Sequence, residues 1–203
     1  MHRPKAFRVD DRARLDAFVD AHPFAVLVGP GLACSHLPLT RVGDDLLSGH
    51  LAAGNEQARM LSPGDRVLAV FSGPHAYVSP RWYATPDAVP TWNYVAVHVQ
   101  GRIEALDTGA ALHAAMREMT ARFEPPEVVG DEVIGRMLPG IRGFRIRIDR
   151  IYGTFKLSQN RSAADRQGVI DALAIGSAED RAVAALMRDV RATTDGSRAH
   201  GPA

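Results

Sequence analysis

The feature that most restricts the fold of this chain is a stretch of alternating apolar and polar residues, NYVAVHVQGRIEAL, at 93–106. Val95, Val97 and Val99 fall on one face, and His98 and Gln100 fall on the other. Alternation with a period of two predicts a long β-strand that packs one face on a hydrophobic core. A strand of this kind needs partner strands from elsewhere in the chain.

The remaining segments predict more strands and several helices. Strands are predicted for FAVLVGPG, ACSHLPLTRV, DDLLSGHL, DRVLAVFSG, HAYVS and GFRIRIDRIYG, with a turn at Gly43–Asp44. Helices are predicted for VDDRARLDAFVDAHP, for GNEQARML with Asn55 as its N-cap, for TGAALHAAMREMTARFE, for DEVIGRML and for two segments with capping boxes that begin at Ser162 and Ser177. Phe123 is expected to continue the apolar stripe of the third helix. Strands grouped in the middle, rather than alternating with helices, predict an α+β fold with a β-barrel core and with inserted and C-terminal helices.

Composition excludes several functional classes. The 24 Lys and Arg residues against 23 Asp and Glu give a net charge of +1, which favours neither nucleic acid nor an anionic membrane. The single cysteine, Cys34, is expected to be a buried strand thiol and cannot form an intrachain disulfide. The charged N-terminal segment does not resemble a signal peptide, and no apolar run has transmembrane length, so a cytoplasmic protein without a membrane anchor is expected.

Three motifs that could carry chemistry are rejected. GPGLAC (29–34) lacks the third glycine of a dinucleotide fingerprint and is better explained as a hairpin turn. The histidines near strands have no metal-ligand spacing, so no metal site is predicted. The serines lie in no hydrolase motif. No catalytic residue is therefore identified.

Two other segments suggest binding. Most of the polar-tipped aromatic residues lie between 77 and 94, namely Tyr77, Trp82, Tyr83, Trp92 and Tyr94. Such rings suit a core, a barrel mouth or a subunit interface, and Trp92 is expected to be a buried ring. The second segment, SGHLAAGNEQ, predicts a strand that ends near His50 and a helix that begins at Asn55, where free backbone N–H groups favour an anion.

Six stretches of the chain together resemble a known family. The stretches FSGPHAYVSPRWY, VPTWNYVAVHVQG and FKLSQNRSAADRQGVI, with MHRPKAF, SHLPL and GHLAAGN in the same order, resemble the PaiB-type proteins, named FMN-binding negative transcriptional regulators. The resemblance extends to about Leu173. It implies an FMN-binding split β-barrel related to pyridoxamine phosphate oxidases, which forms a homodimer with FMN at the interface. It predicts a flavin-binding domain over 1–173 and a C-terminal helix with a flexible tail over 174–203.

The resemblance also implies a set of flavin contacts. SHLPL would pass beside the isoalloxazine, GHLAAGN would take the phosphate and ribityl chain, and KLSQN would reach the flavin from the C-terminal strand. The predicted cofactor-binding residues are Ser35, His36, Leu37, His50, Leu51, Ala52, Asn55, Tyr77, Ser79, Lys156, Gln159 and Asn160. Many split-barrel flavoproteins hold the phosphate with an Arg/Lys pair in the segment that matches GHLAAGN, whereas this chain has no cation there before Arg59. His50, Arg59 or Lys156 of a partner subunit is the expected source of positive charge.

Several functions stay open on the sequence. The family name implies transcriptional regulation and a nucleic-acid partner, but the residues show no helix-turn-helix motif and almost no net charge. A flavin-dependent oxidoreductase that does not bind DNA is the first alternative, since the flavin itself carries hydride or electron transfer. A split-barrel protein that handles haem is the second, with His36, His50, His75 or His98 as the ligand.

Overall fold

The computed structural model describes residues 4–125 and 127–196. Among these residues the strands are β1 (Arg8–Val9), β2 (Phe24–Val28), β3 (Cys34–Pro38), β4 (Thr40–Arg41), β5 (Leu46–Ala52), β6 (Arg66–Val78), β7 (Thr91–Asp107) and β8 (Ile141–Lys156). The helices are α1 (Arg12–Ala21), α2 (Glu56–Met60), α3 (Gly109–Ala121), α4 (Asp131–Met137), α5 (Ala163–Ala174) and α6 (Ala178–Gly196). No helix in this part of the chain is long and apolar enough to cross a membrane.

The chain divides into two compact units. The barrel unit consists of residues 11–71 and 97–152, and the terminal unit consists of residues 72–96 with the described residues before 11 and after 152. The strands β6, β7 and β8 each contribute one segment to either unit.

The sheet curls back on itself in the barrel unit. The strand order is β3-β2-β6-β7-β8-β5-β4, and the pairs β2–β3, β2–β6, β4–β5 and β5–β8 are antiparallel. Its first and last strands, β3 and β4, are separated only by Leu39, which is fully buried. One bent strand therefore pairs with β2 through its first half and with β5 through its second half, as a barrel topology requires. The predicted α+β fold with a barrel core is confirmed.

The barrel core follows from the alternation that the sequence shows. The fully buried large side chains of this unit include Leu27, Leu39, Leu47, Phe71, Ile103, Phe144 and Ile146. Gly49 belongs to the same layer, because a Cβ placed on it would lie 2.4 Å from Leu39 Cδ2 and 3.1 Å from Phe144 Cζ. The glycine of the GHLAAGN motif is thus required by packing against the core.

The terminal unit is built around the pair α5 and α6. Val183, Ala184 and Met187 of α6 are fully buried. The predicted capping box at Ser177 is confirmed, since Asp180 N donates to Ser177 Oγ and Ser177 N donates to Asp180 Oδ2. The proposed division at 173/174 stays a prediction, and residues 197–203 of the predicted flexible tail lie outside the described residues.

Several local predictions are confirmed. Asp11 caps α1 and Asn55 caps α2, each through a side-chain oxygen that accepts from a backbone N–H. GPGLAC forms the connection of the antiparallel pair β2–β3, as expected for a hairpin.

Other local predictions are wrong. DRVLAVFSG and HAYVS form the single strand β6, which runs through Gly73 and Pro74. Phe123 lies beyond the end of α3 and is 55% exposed, because the helix stops before it can reach the core. Cys34 is exposed, because its position in β3 lies on the opposite face from the buried Ser35 and Leu37.

Candidate functional site

The SHLPL segment forms β3 and presents its residues to two different faces. Ser35 and Leu37 are buried, whereas His36 is exposed. The His36 ring stacks against the exposed ring of Phe24, with centroids 6.3 Å apart. Of the three predicted isoalloxazine neighbours, only His36 is therefore available on the exposed face of this strand.

A hydrogen-bond network fixes the turn that follows β5. Asn55 Nδ2 donates to Ser35 Oγ at 3.1 Å, while Asn55 Oδ1 accepts from Gln57 N at 2.8 Å. Gln57 is buried, and its Nε2 donates to the backbone oxygens of Leu27 and Ala33. The structure thus brings the predicted residues Ser35 and Asn55 together, and sequence reasoning missed Gln57, the residue that ties their turn to β2.

The GHLAAGN segment contains a buried polar atom without a partner. His50 is half-buried, and its Nδ1 has no hydrogen-bond partner among the described side chains of residues 4–125 and 127–190 or the backbone of the described residues. Burial lowers the pKa of His50, so the imidazole is neutral at pH 7. Leu51 is buried and Ala52 is exposed. His50 can therefore offer a hydrogen bond to a ligand, but it does not supply the positive charge that the segment lacks.

Lys156, in the terminal unit, is anchored to the start of β7. Its Nζ donates to Trp92 O at 2.8 Å and to Thr91 Oγ1. Burial, followed by the positive charge of Arg161, lowers the pKa of Lys156. The ammonium has three donors, so one remains after these two bonds.

The aromatic residues near Lys156 form a surface group in the same unit. The ring centroid of Trp92 lies 6.0 Å from those of both Tyr77 and His75. Trp92 is 51% exposed and Tyr77 is 46% exposed, so the expectation that Trp92 is a buried ring is wrong for the single chain. We call His75, Tyr77 and Trp92 the aromatic cluster.

The remaining predicted residues are held by local contacts or lie at the surface. Gln159 Oε1 accepts from Leu157 N at 2.7 Å, and its Nε2 donates to Phe155 O. Ser79 is buried and accepts from Arg81 N as the cap of a short 3₁₀ turn, Pro80–Trp82. Asn160 is exposed.

Sequence reasoning missed two buried polar contacts in the terminal unit. Asn93 is fully buried, and its Nδ2 donates to Ser158 Oγ at 3.0 Å and to Met187 Sδ at 3.4 Å. The buried carboxylate of Asp165 accepts from Thr85 N and Thr85 Oγ1, at 2.9 and 2.7 Å. Asn93 of the WNY motif and Ser158 of the KLSQN motif therefore stabilise the fold. The sequence could have indicated that Asn93 is buried, because it precedes the alternating apolar residues of β7.

The described residues of the barrel unit line at least two cavities. One of about 680 Å³ lies between α3 and α4 and is lined by residues that include His113, Arg117 and Ile134. A smaller one of about 260 Å³ is lined by residues that include Gly29, Arg66 and Asp149. No predicted flavin contact lines either of these two cavities, so they do not locate the predicted site.

Comparison with known proteins identifies the family. A family model described as "Putative FMN-binding domain" matches residues 1–150. The chain is a member of this FMN-binding, PaiB-type family. The PaiB-type chain is 37% identical, over 186 residues, to the Protease synthase and sporulation protein PAI 2 of Bacillus subtilis, covering 85% of this chain and 89% of that protein. It is 31% identical to an uncharacterized protein of Aspergillus fumigatus, covering 77% of this chain and 84% of that protein.

Solved structures support the fold of the PaiB-type chain. The flavocytochrome Anf3 of Azotobacter vinelandii superposes with a TM-score of 0.61 at 18% identity, over 76% of this chain and 72% of that chain. The FAD and heme binding protein of Mycobacterium smegmatis superposes with a TM-score of 0.57 at 18% identity, over 79% and 78% of the two chains. The predicted split-barrel fold is confirmed, and family membership supports FMN as the cofactor.

The barrel unit contains one buried polar atom that is suited to a hydrogen bond with a flavin, namely Nδ1 of His50. A buried histidine nitrogen without a partner is expected to find one in the functional state, because an unsatisfied buried polar atom costs about 1–3 kcal/mol. His50 Nδ1 is such an atom, and it lies in the segment that the family resemblance gives to the ribityl phosphate.

Proposed function

We propose that this chain is a homodimeric flavoprotein that holds FMN with the strand β5 and the turn after it. The observation that carries the proposal is the unpartnered Nδ1 of His50 within the family segment GHLAAGN. When bound, the flavin supplies hydride or electron transfer. The protein's own contribution is to bind and orient the cofactor, with Asn55 and Ser35 holding the turn in place.

The remaining predicted contacts form a second group in the terminal unit. Lys156 has one donor left after its bonds to Thr91 and Trp92, and we propose that Lys156 of the partner subunit offers this donor to the flavin bound in a homodimer. Gln159 and Ser79 are engaged in local bonds, so we propose that they shape the backbone near the ligand rather than bind it directly. The exposed residues His36, Tyr77 and Asn160 remain proposed contacts.

Flavin titration tests the proposal. Wild-type protein is titrated with FMN, and quenching of flavin fluorescence gives the dissociation constant. We expect His50→Ala to weaken FMN binding about tenfold, in line with the loss of one buried hydrogen bond of about 1.5 kcal/mol. His113→Ala is the matched control, because His113 is a histidine of α3 that is half-buried like His50 and lies outside the GHLAAGN segment. A wild-type protein that binds no FMN at saturating concentration would refute the proposal.

The aromatic cluster supports the homodimer. Trp92 lies beside both His75 and Tyr77 at the surface, and such a group of amphipathic rings is typical of the centre of a protein interface. We expect Trp92→Ala to shift the sedimentation equilibrium towards the monomer and to change the melting temperature of the monomer only slightly. Phe123→Ala is the control, since Phe123 is exposed to a similar degree and lies outside the cluster. A monomeric wild-type protein, or equal effects of both variants, contradicts the assignment.

A regulatory role is a second candidate. It is favoured by the family resemblance to FMN-binding negative transcriptional regulators and by the Bacillus subtilis relative, which is named as a sporulation protein. The net charge of +1 does not favour direct binding to DNA. Electrophoretic mobility shift at low salt, with DNA from upstream of the protein's own coding sequence, tests this role, and the absence of a shift with both the apo and the FMN-loaded protein counts against it.

A further inference from the structure

The turn after β5 lacks an obvious source of positive charge for a phosphate. Within 49–55 there is no Lys or Arg, and burial keeps His50 neutral. A phosphate monoester carries close to two negative charges at pH 7, so a site for it needs at least one cation. The cation must come from another segment that the fold brings to this turn.

The neighbouring strand β8 brings an arginine to this place. Arg142 is the partner of Leu51 in the antiparallel ladder, and Ala53 N donates to Gly140 O at 2.9 Å just beyond it. The start of β8 therefore lies directly beside the turn 52–55. Arg142 is half-buried, and its side chain has neither a hydrogen-bond nor an ion-pair partner among the described side chains of residues 4–125 and 127–190.

Two other arginines of β8 are already engaged in ion pairs. Arg145 pairs with the buried carboxylate of Asp107 at 3.1 Å. Arg147 pairs with Glu104. Arg59 donates through Nη1 to Gly54 O at 3.1 Å, which holds it against the same turn and leaves its remaining donors available.

Because the guanidinium of Arg142 has no anion among the described side chains, all of its donors remain available to a ligand. The planar fork of arginine matches a phosphate with two parallel hydrogen bonds. We propose that Arg142, assisted by Arg59, binds the phosphate of FMN at the turn 52–55. This assignment rests on the proposed flavin function and adds to it the residue that distinguishes FMN from flavins without a phosphate.

One negative group opposes this arrangement. Glu56 begins α2 immediately after the turn and is exposed. Its charge would repel a phosphate, so neutralising it provides an opposite test of the same site. Glu56→Gln is expected to tighten FMN binding and to leave riboflavin binding unchanged.

The experiment compares FMN with riboflavin, which lacks the phosphate. Arg142→Gln should weaken FMN binding by about 10-fold or more, the loss of a charge-assisted hydrogen bond, and should change riboflavin binding by less than about twofold. Arg142→Lys keeps the charge and should recover part of the FMN affinity. Arg147→Gln removes a charge from the same strand at an exposed ion pair and is the matched control. Circular dichroism and the melting temperature of each apo variant establish that it folds.

The outcomes separate the two proposals. A wild-type protein that binds neither flavin refutes the flavin function and this assignment with it. If wild type binds FMN, an unchanged ratio of FMN to riboflavin affinity in Arg142→Gln overturns the role of Arg142 alone. A dimer that dissociates in Arg142→Gln without a change in this ratio would instead mean that the arginine pairs with a carboxylate of the second subunit, which also overturns the assignment.

Discussion

Gly168 provides a sharp test of how the loop with Trp82 and Tyr83 is held in the terminal unit. Gly168 lies within α5, and a Cβ placed on it would lie 2.1 Å from the backbone oxygen of Trp82. One helical turn earlier, Asp165 accepts two hydrogen bonds from Thr85 of the same loop. These two hydrogen bonds, first the one from the Thr85 hydroxyl and then the one from the Thr85 backbone, lower the pKa of Asp165. The loop backbone therefore meets α5 at the position where the helix has no side chain.

Two opposing effects decide the result of Gly168→Ala. Alanine in place of glycine inside a helix stabilises by about 0.5–1 kcal/mol. Overpacking costs about 1–3 kcal/mol, and we take the upper end because a backbone oxygen cannot rotate away as the end of a side chain can. The cost of the clash is larger than the gain in helix propensity. The free energy of unfolding is therefore expected to fall by about 2 kcal/mol, which lowers the melting temperature by about 4–8 °C for a chain of this size.

Urea unfolding of the apo protein, followed by tryptophan fluorescence, measures this loss. Gly135→Ala in α4 is the control, because a Cβ at Gly135 meets no atom within 4 Å, so this variant should gain about 0.5–1 kcal/mol. If Gly168→Ala is stabilised as Gly135→Ala is, the close contact between the loop and α5 does not exist in solution and the reasoning is refuted.

Two further predictions concern buried polar groups. The pKa of His50 is lower in the folded chain than in the unfolded chain. As the pH falls below about 6.5, the unfolded chain therefore binds a proton at His50 before the folded chain does. The stability that neutral His50 contributes is present above that pH and is lost as the pH falls through the folded-state pKa. His50→Gln should therefore lose less stability than wild type between pH 7 and pH 5 in urea titrations, and parallel pH profiles would contradict this. Asn93→Ala should cost about 2 kcal/mol or more by leaving Ser158 without its partner, and the double variant with Ser158→Ala should cost little more than the single one. Strictly additive losses in the double-mutant cycle would show that the two side chains do not form one network.

The sequence predicted the fold well where a repeated pattern carried the signal. The alternation of Val95, Val97 and Val99 identified the buried face of β7, and side-chain oxygens at Asp11 and Asn55 marked two helix starts. Local sequence patterns gave wrong strand boundaries where contacts between distant parts of the chain determine the backbone conformation. Gly73 and Pro74 suggested a break, yet β6 continues through them as one strand from Arg66 to Val78.

The candidate site could be predicted only in part for the same reason. Motifs named Ser35, His50 and Asn55, but no motif could show that Ser35 bonds to Asn55 or that β8 lies beside β5. Arg142 was missed because its place depends on the register of two strands about 90 residues apart in sequence, a separation on the scale of a whole domain. Asn93 was missed because a buried amide looks like a surface residue until its partners are known.

The pairing of β5 with β8 has a consequence for synthesis of the chain. Leu46 has Arg147 as its ladder partner, so β5 emerges from the ribosome long before the strand that covers its edge. Until residues near 147 are available, the nascent chain exposes an unpaired apolar strand edge of the kind that recruits other chains. Truncated products that end within α3 or α4 should therefore aggregate, and the cell must complete or degrade this chain rather than tolerate its fragments.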